Sequence, residues 1–122
     1  MTYEDFQQKF EDGADKSFET YIKLSEDVLL NLIQTGQYDD TYQIWRALQV
    51  KGTRKSLFIL FNIVSNFNNP YLIRYHACEA LFKIGAIQND EFKGMVQYGR
   101  DKYGKLIDQR ITIQKLRNYL SL

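Results

Sequence analysis

Apolar residues recur along most of this chain at intervals of three and four, the period of an α-helix packed by one face. From Phe18 to Ile33 they fall at Phe18, Tyr21, Ile22, Val28, Leu29, Leu32 and Ile33, with Ser25 in a gap. On a helical wheel these positions share a face about 120° wide. The pattern predicts one helix over 18–33, stopped by Gly36. A weaker, peripheral helix falls within residues 1–16. Asp39 or Asp40 is placed to cap a helix through Tyr42, Ile44, Trp45, Leu48 and Val50 that ends at Gly52.

Thr53 is placed to cap the next helix, Arg54 to Phe67, which carries Leu57, Phe58, Ile59, Leu60, Phe61, Ile63, Val64 and Phe67. So narrow a polar strip predicts a helix covered on most sides. A buried strand is the competing reading for Leu57–Phe61, but no alternation and no hairpin turn accompany it. Asn68-Asn69-Pro70 is the sharpest punctuation, with Asn69 as cap for a helix from Pro70 to Ile84 that closes at Gly85. Asn89-Asp90-Glu91-Phe92 opens a fifth segment with Met95 and Val96. A last helix holds Leu106, Ile107, Ile111, Leu116 and Leu120. The expected fold class is all-α: short stacked antiparallel helices in one domain over residues 1–122.

A faint internal repeat accompanies this pattern. Ala47-Leu48 and Gly52 return 33 residues later as Ala80-Leu81 and Gly85, a period typical of helical-pair solenoids. The segment 57–85 resembles one HEAT repeat, in which a leucine-rich helix, an Asp/Asn-Pro turn and a second helix follow in order. Asn68, Pro70, Ile73, Arg74, Ala77, Ala80, Leu81 and Gly85 stand at the matching positions. Residues 39–52 match poorly, with Ile44 where the pattern has its first alanine. The resemblance implies a HEAT-like or irregular α–α superhelix and, for Arg74, a structural role fixing a loop. It is nearly silent on function, because one fold hosts many.

Composition narrows the function classes. Of 122 residues, 44% are hydrophobic and 25% charged, with a single proline, the profile of a globular protein and not of a disordered one. Residues 1–40 carry ten acids and three lysines, while the rest carry 13 bases and five acids. The molecule is therefore electrically polar despite a net charge of +1. The acidic start lacks a secretory leader and Leu57–Phe61 is too short to span a bilayer, so a cytoplasmic protein without membrane attachment is expected.

Reactive groups are sparse. His76 is the one histidine and Cys78 the one cysteine, so neither a multi-histidine metal site nor an internal disulfide is available. His76 is expected on the polar face of its helix beside Glu79 and Lys83, and Cys78 as a small buried filler. Acid pairs such as Glu11 and Asp15 sit near helix starts, where the dipole accounts for them. Gly94, Gly99 and Gly104 make no phosphate loop. The expectation is a protein without enzymatic activity and without a cofactor.

Aromatic residues make up 15% of the chain. Phe58, Phe61, Phe67 and Phe82 are expected in the core. Tyr42, Trp45 and Arg46, followed by Lys51, Arg54 and Lys55, form an aromatic-basic cluster of the kind that anchors interfaces. These six are the candidate partner-binding residues, and Arg74 is the candidate structural ion pair. The expected function is a non-catalytic protein-binding module, an adaptor or an inhibitor of the immunity-protein type acting by surface complementarity. Self-association is a further mode. The alternative is a nucleic-acid-binding helical-repeat protein using the basic 46–117 portion.

Overall fold

The computed structural model describes residues 2–89, 91–92, 95–96 and 109–122. All regular secondary structure among them is α-helical: α1 (Tyr3–Ile22), α2 (Glu26–Gln34), α3 (Gln43–Lys51), α4 (Arg54–Ser65), α5 (Tyr71–Ile84) and α6 (Gln109–Leu120). Leu57–Phe61 is helix, as its lack of alternation predicts. No described helix is long and apolar enough to cross a membrane. The chain forms two compact units, Met1–Gly52 and Thr53–Leu122.

In the first unit α1 packs chiefly on α3, with α2 against α3 as well. Its core is Tyr21, Leu29, Leu30, Ile33, Ile44, Trp45, Ala47 and Leu48. The single helix predicted over 18–33 is in fact two. Ser25 is extended and its hydroxyl accepts the Val28 N–H at 3.3 Å, which starts α2. Ser25-Glu26-Asp27 is a helix-start signature, an N-cap followed by two acids, and it overrides the periodicity that runs through it. Residues upstream join α1, a 20-residue helix opened by a reciprocal Thr2–Asp5 capping box.

Gly36 stops α2 as predicted. At φ +69° it lets its own N–H reach Ile33 and the Gln37 N–H reach Leu32, closing the last carbonyls. Asp39 and Asp40, in contrast, do not cap α3. The cap position belongs to Tyr42, which has a left-handed φ of 62° and makes no side-chain capping bond. Asp39 ties the preceding loop to α1 instead.

In the second unit α4 and α5 form a helical hairpin, and α6 packs against α4. Leu57, Leu60, Phe61 and Val64 of α4 and Arg74, Ala77, Cys78, Ala80 and Leu81 of α5 are buried residues of this unit. Ile113, Leu116 and Leu120 are buried from α6. Phe92, Met95 and Val96 are also buried, but lie in turns where the sequence predicts a fifth helix. Leu106, Ile107, Gly94, Gly99 and Gly104 lie outside the described residues. Phe58 and Phe67 correct the expected core, for they are 55% and 48% exposed.

The loop joining α4 to α5 also differs in detail. Pro70, not Asn69, is the N-cap of α5. The Asn69 amide donates back to the Ile63 carbonyl at 3.0 Å, closing the end of α4 instead of opening α5. Thr53 does stand at the N-cap of α4, but without a side-chain capping bond. Gly52 and Gly85 end α3 and α5, each donating its N–H to the leucine four residues earlier, at 2.7 and 2.9 Å. Ala47, Leu48, Ala80 and Leu81 are all fully buried.

Candidate functional site

The six residues expected to bind a partner fall in both units of the chain. Gly52 and Thr53 divide them: Tyr42, Trp45, Arg46 and Lys51 belong to the first unit, Arg54 and Lys55 to the second. Trp45 is 1% exposed and cannot serve as a surface anchor. Its ring meets Tyr38 edge-on at 5.9 Å, and its indole N–H is buried with no acceptor among the described residues. Burial, together with Tyr42, pushes the Tyr38 hydroxyl above its usual pKa. Arg46 lies exposed over the Phe18 ring at 5.6 Å and donates to the Gln43 side chain. Lys51 and Lys55 are exposed.

Arg54 is engaged within its own unit. Its guanidinium donates to the Leu120 and Ser121 carbonyls, both at 3.1 Å, and so closes the C-terminal end of α6. A cation there meets both the orphan carbonyls and the negative end of the helix dipole.

Arg74 is 7% exposed, in keeping with a structural role. Its Nε donates to the Val64 carbonyl and a terminal nitrogen to the Gln109 Oε1, each at 2.8 Å. The guanidinium also lies 4.6 Å from the Phe67 ring centre. The expected acceptors, Asn68, Asn69 or a carboxylate, give way to a helix-end carbonyl and a carboxamide, so the described pairing is not an ion pair. Burial draws its pKa below the ordinary arginine value. Among the described residues, the charge is held by neutral dipoles.

Asp39 gathers four hydrogen bonds that sequence reasoning did not anticipate. Its carboxylate accepts from the Ser17 hydroxyl, the Thr41 N–H and the Thr41 hydroxyl, and its N–H donates to the Tyr21 hydroxyl at 2.9 Å. Burial alone would raise its pKa, but the bonds from Ser17, Thr41 and Tyr21 outweigh it and hold the carboxyl below its usual range. Asp39 thus staples the 38–42 loop onto α1. That is a structural task.

The second unit holds a groove of about 520 Å³ along α5, within the size range of binding pockets. One wall is α5 itself, through Tyr75, Cys78, Glu79, Phe82 and Lys83. The other is Ala86, Ile87 and Gln88 with Met95 and Val96. Tyr71, Tyr75, Cys78 and Phe82 are spaced four, three and four residues apart, which places them in one stripe about 60° wide. Ala77, Ala80 and Leu81 point to the core on a different face. Tyr71 and Leu72, at 51% and 49% exposure, carry the apolar surface beyond the groove.

Burial shifts two titratable side chains of α5 at or beside the groove. The Cys78 thiol lies in the wall, and burial pushes its pKa to about 12, above the pull of Arg74. A thiol that stays protonated is a poor nucleophile. His76, half-buried and edge-on to Tyr75 at 5.2 Å, has its pKa lowered by burial, with Glu79 opposing. Glu79 and Lys83 are exposed and sit one turn apart at the rim. A sequence signal for the groove did exist: Tyr71, Tyr75, Cys78 and Phe82 recur at helical spacing on a face of α5 separate from that of Ala77, Ala80 and Leu81, and a helix with two such faces needs cover on more than its core face. No family model, curated protein or solved structure matches this chain.

Proposed function

We propose that this chain is a non-catalytic protein-binding module, an adaptor or an inhibitor of the immunity-protein type, that acts by surface complementarity. The observation that carries the reading is the α5 groove: an apolar stripe at helical spacing, a second apolar wall, and opposite charges at the rim. Such a groove fits the apolar face of an amphipathic helix read at every third and fourth position. A HEAT-like helical-repeat origin belongs to the same proposal. It is supported by the buried Ala-Leu pair and the terminal glycine that recur in α3 and α5.

The nucleic-acid alternative draws less support. Arg54, Arg74 and Arg117 all direct guanidinium groups at carbonyl oxygens of the second unit, which leaves fewer cations to track phosphates.

Panning a displayed library of amphipathic helical peptides against the immobilised full chain tests the proposal. Anisotropy titrations of a selected peptide should show at least tenfold weaker binding to Phe82→Ala and to Glu79→Lys, about 1.4 kcal/mol. Arg46→Glu should leave binding unchanged. Binding lost with Arg46→Glu and kept with Phe82→Ala would move the site to α3. Saturable binding of fluorescent oligonucleotides at physiological salt would replace the reading with the nucleic-acid one.

A further inference from the structure

The seam between α4 and α6 holds a second cleft in the same unit, and it shares no lining residue with the α5 groove. Phe58, Phe61 and Asn62 line it from α4, at the i, i+3 and i+4 positions that share one helix face. Ile113 and Arg117, one turn apart, line it from α6, and Leu122 from just beyond that helix. Phe61 and Ile113 are buried while Phe58, Asn62 and Arg117 are exposed, so an apolar floor lies under a mixed polar and aromatic mouth. The Leu122 wall is fixed by the local backbone. Ser121 has a left-handed φ of 58° and turns the chain back on α6, where the Leu122 N–H donates to the Arg117 carbonyl at 3.2 Å. Arg54 holds the Leu120 and Ser121 carbonyls from α4.

Charge and size decide what fits there. Together α4 and α6 carry Arg54, Lys55, Arg110, Lys115 and Arg117, and neither helix has an acidic residue. Arg54 is committed to main-chain carbonyls. Arg117 is committed only in part: its Nε donates to the Leu122 main-chain oxygen at 3.3 Å, and among the described residues no acceptor meets its terminal nitrogens. Phe58, at 55% exposure, puts an aromatic ring on the same cleft, and aromatic rings and guanidinium groups are the side chains that anchor interfaces. The cleft measures about 170 Å³, below the roughly 300–1,000 Å³ of small-molecule pockets. It has room for one side chain.

We infer that the α4–α6 cleft is a docking surface for an acidic segment of a protein partner. One apolar side chain of that segment seats against Phe58, Phe61 and Ile113, and a neighbouring carboxylate takes the terminal nitrogens of Arg117 in a charge-assisted, two-pronged contact. The other cations of the two helices draw the segment in and reject basic competitors. The fixed Leu122 wall reduces the ordering that binding would otherwise require. A nucleic acid fits less well, because it asks for a track of cations along its backbone, whereas this cleft sets one guanidinium over an apolar floor. This surface is separate from the α5 groove and does not rest on the reading of that groove.

The experiment is a fluorescence anisotropy titration of labelled peptides with the full chain, from about 1 μM to about 1 mM protein, a span covering weak to moderate affinities. The peptides place one leucine or phenylalanine beside a cluster of glutamates. The same peptides with lysine for glutamate are the charge control, and single- and double-stranded oligonucleotides are the nucleic-acid control. An acidic peptide should saturate, weaken as salt rises, and shift the amide resonances of α4 and α6. Phe58→Ala and Arg117→Glu should each weaken it roughly tenfold or more. Both side chains are exposed, so the helical circular dichroism of the variants should match the parent. Phe82→Ala, in the α5 groove, should leave this binding intact, so the two surfaces fail separately. No saturation by any acidic peptide overturns the inference, as does equal binding of the lysine peptides or an affinity indifferent to Arg117→Glu. Oligonucleotide binding that Arg117→Glu abolishes, with no acidic peptide bound, would give the surface to nucleic acid instead.

Discussion

A buried cation whose acceptors among the described residues are neutral is the most informative single residue of this chain. Arg74 has left water for two neutral oxygens and an aromatic face, a costly exchange unless the geometry is good. Replacing it with alanine removes a charged donor from the Val64 carbonyl near the end of α4 and opens the space beneath Phe67. The two losses exceed the relief of the desolvated charge. Arg74→Ala should lower stability by roughly 1–4 kcal/mol, read as a drop in the urea midpoint at constant slope. Lysine should not rescue it, because one ammonium on a flexible stem cannot reproduce the planar fork that reaches both oxygens. An unchanged midpoint would mean that the two 2.8 Å bonds carry no net stability. Sequence alone singles out Arg74 because it interrupts an apolar face. Its acceptors are not legible there, since Gln109 lies 35 residues away and only tertiary packing brings it near.

Helix ends show the next scale, and they show what a pattern of residue types conveys. Gly36, Gly52 and Gly85 each mark the end of a helix where the sequence places them. At α5, however, the left-handed position is one residue beyond the glycine. Ala86 has φ 51°, and the Ala86 and Ile87 N–H groups reach Lys83 and Phe82 in the pattern a glycine normally completes. Gly85 is required for room instead: a Cβ there would lie 3.1 Å from the Leu81 carbonyl oxygen and 3.3 Å from Ile87. Two opposite effects follow. Ala86→Gly should stabilise by about 0.5–1 kcal/mol, the strain relieved less the backbone entropy added. Gly85→Ala should destabilise, because the close oxygen belongs to backbone. Thermal melts of the two variants compared with the parent check both signs. The split of the predicted 18–33 helix carries the complementary lesson. Periodicity continues through Ser25 because a capping residue can occupy a wheel position without breaking the count, so a cap must be weighed as a start signal in its own right.

At the scale of the whole molecule, the helical class is readable from sequence because it depends on periods of three and four residues. The candidate site is not, because it depends on how the helices pack against one another. Proximity in sequence gathers Tyr42, Trp45, Arg46, Lys51, Arg54 and Lys55 into one patch, yet Trp45 is core and Arg54 serves the end of α6. Phe82 reads as core from sequence because it is apolar, and apolarity alone does not say what covers it. The same molecule should report on its two units through acid titration, because each holds a group whose pKa is shifted on the acid side of neutrality. His76, in the second unit, lies below its ordinary 6.5 through burial. The unfolded chain therefore takes up that proton first as the pH falls. Stability contributed by neutral His76 is complete above 6.5 and is lost between 6.5 and the lower folded value, after which the loss levels off. Asp39, in the first unit, lies below its ordinary 3.8 despite burial, because Ser17, Thr41 and Tyr21 favour the carboxylate. Its contribution is complete above 3.8 and disappears as the pH falls from there through the folded value. The urea midpoint followed by circular dichroism should thus decline in two separate windows. His76→Gln should flatten the upper decline and spare the lower. Asp39→Asn should lower stability at neutral pH by about 1 kcal/mol, a modest loss because the carboxylate is exposed, and should flatten the lower window alone. A His76→Gln variant that keeps the full upper decline would assign that titration to another group.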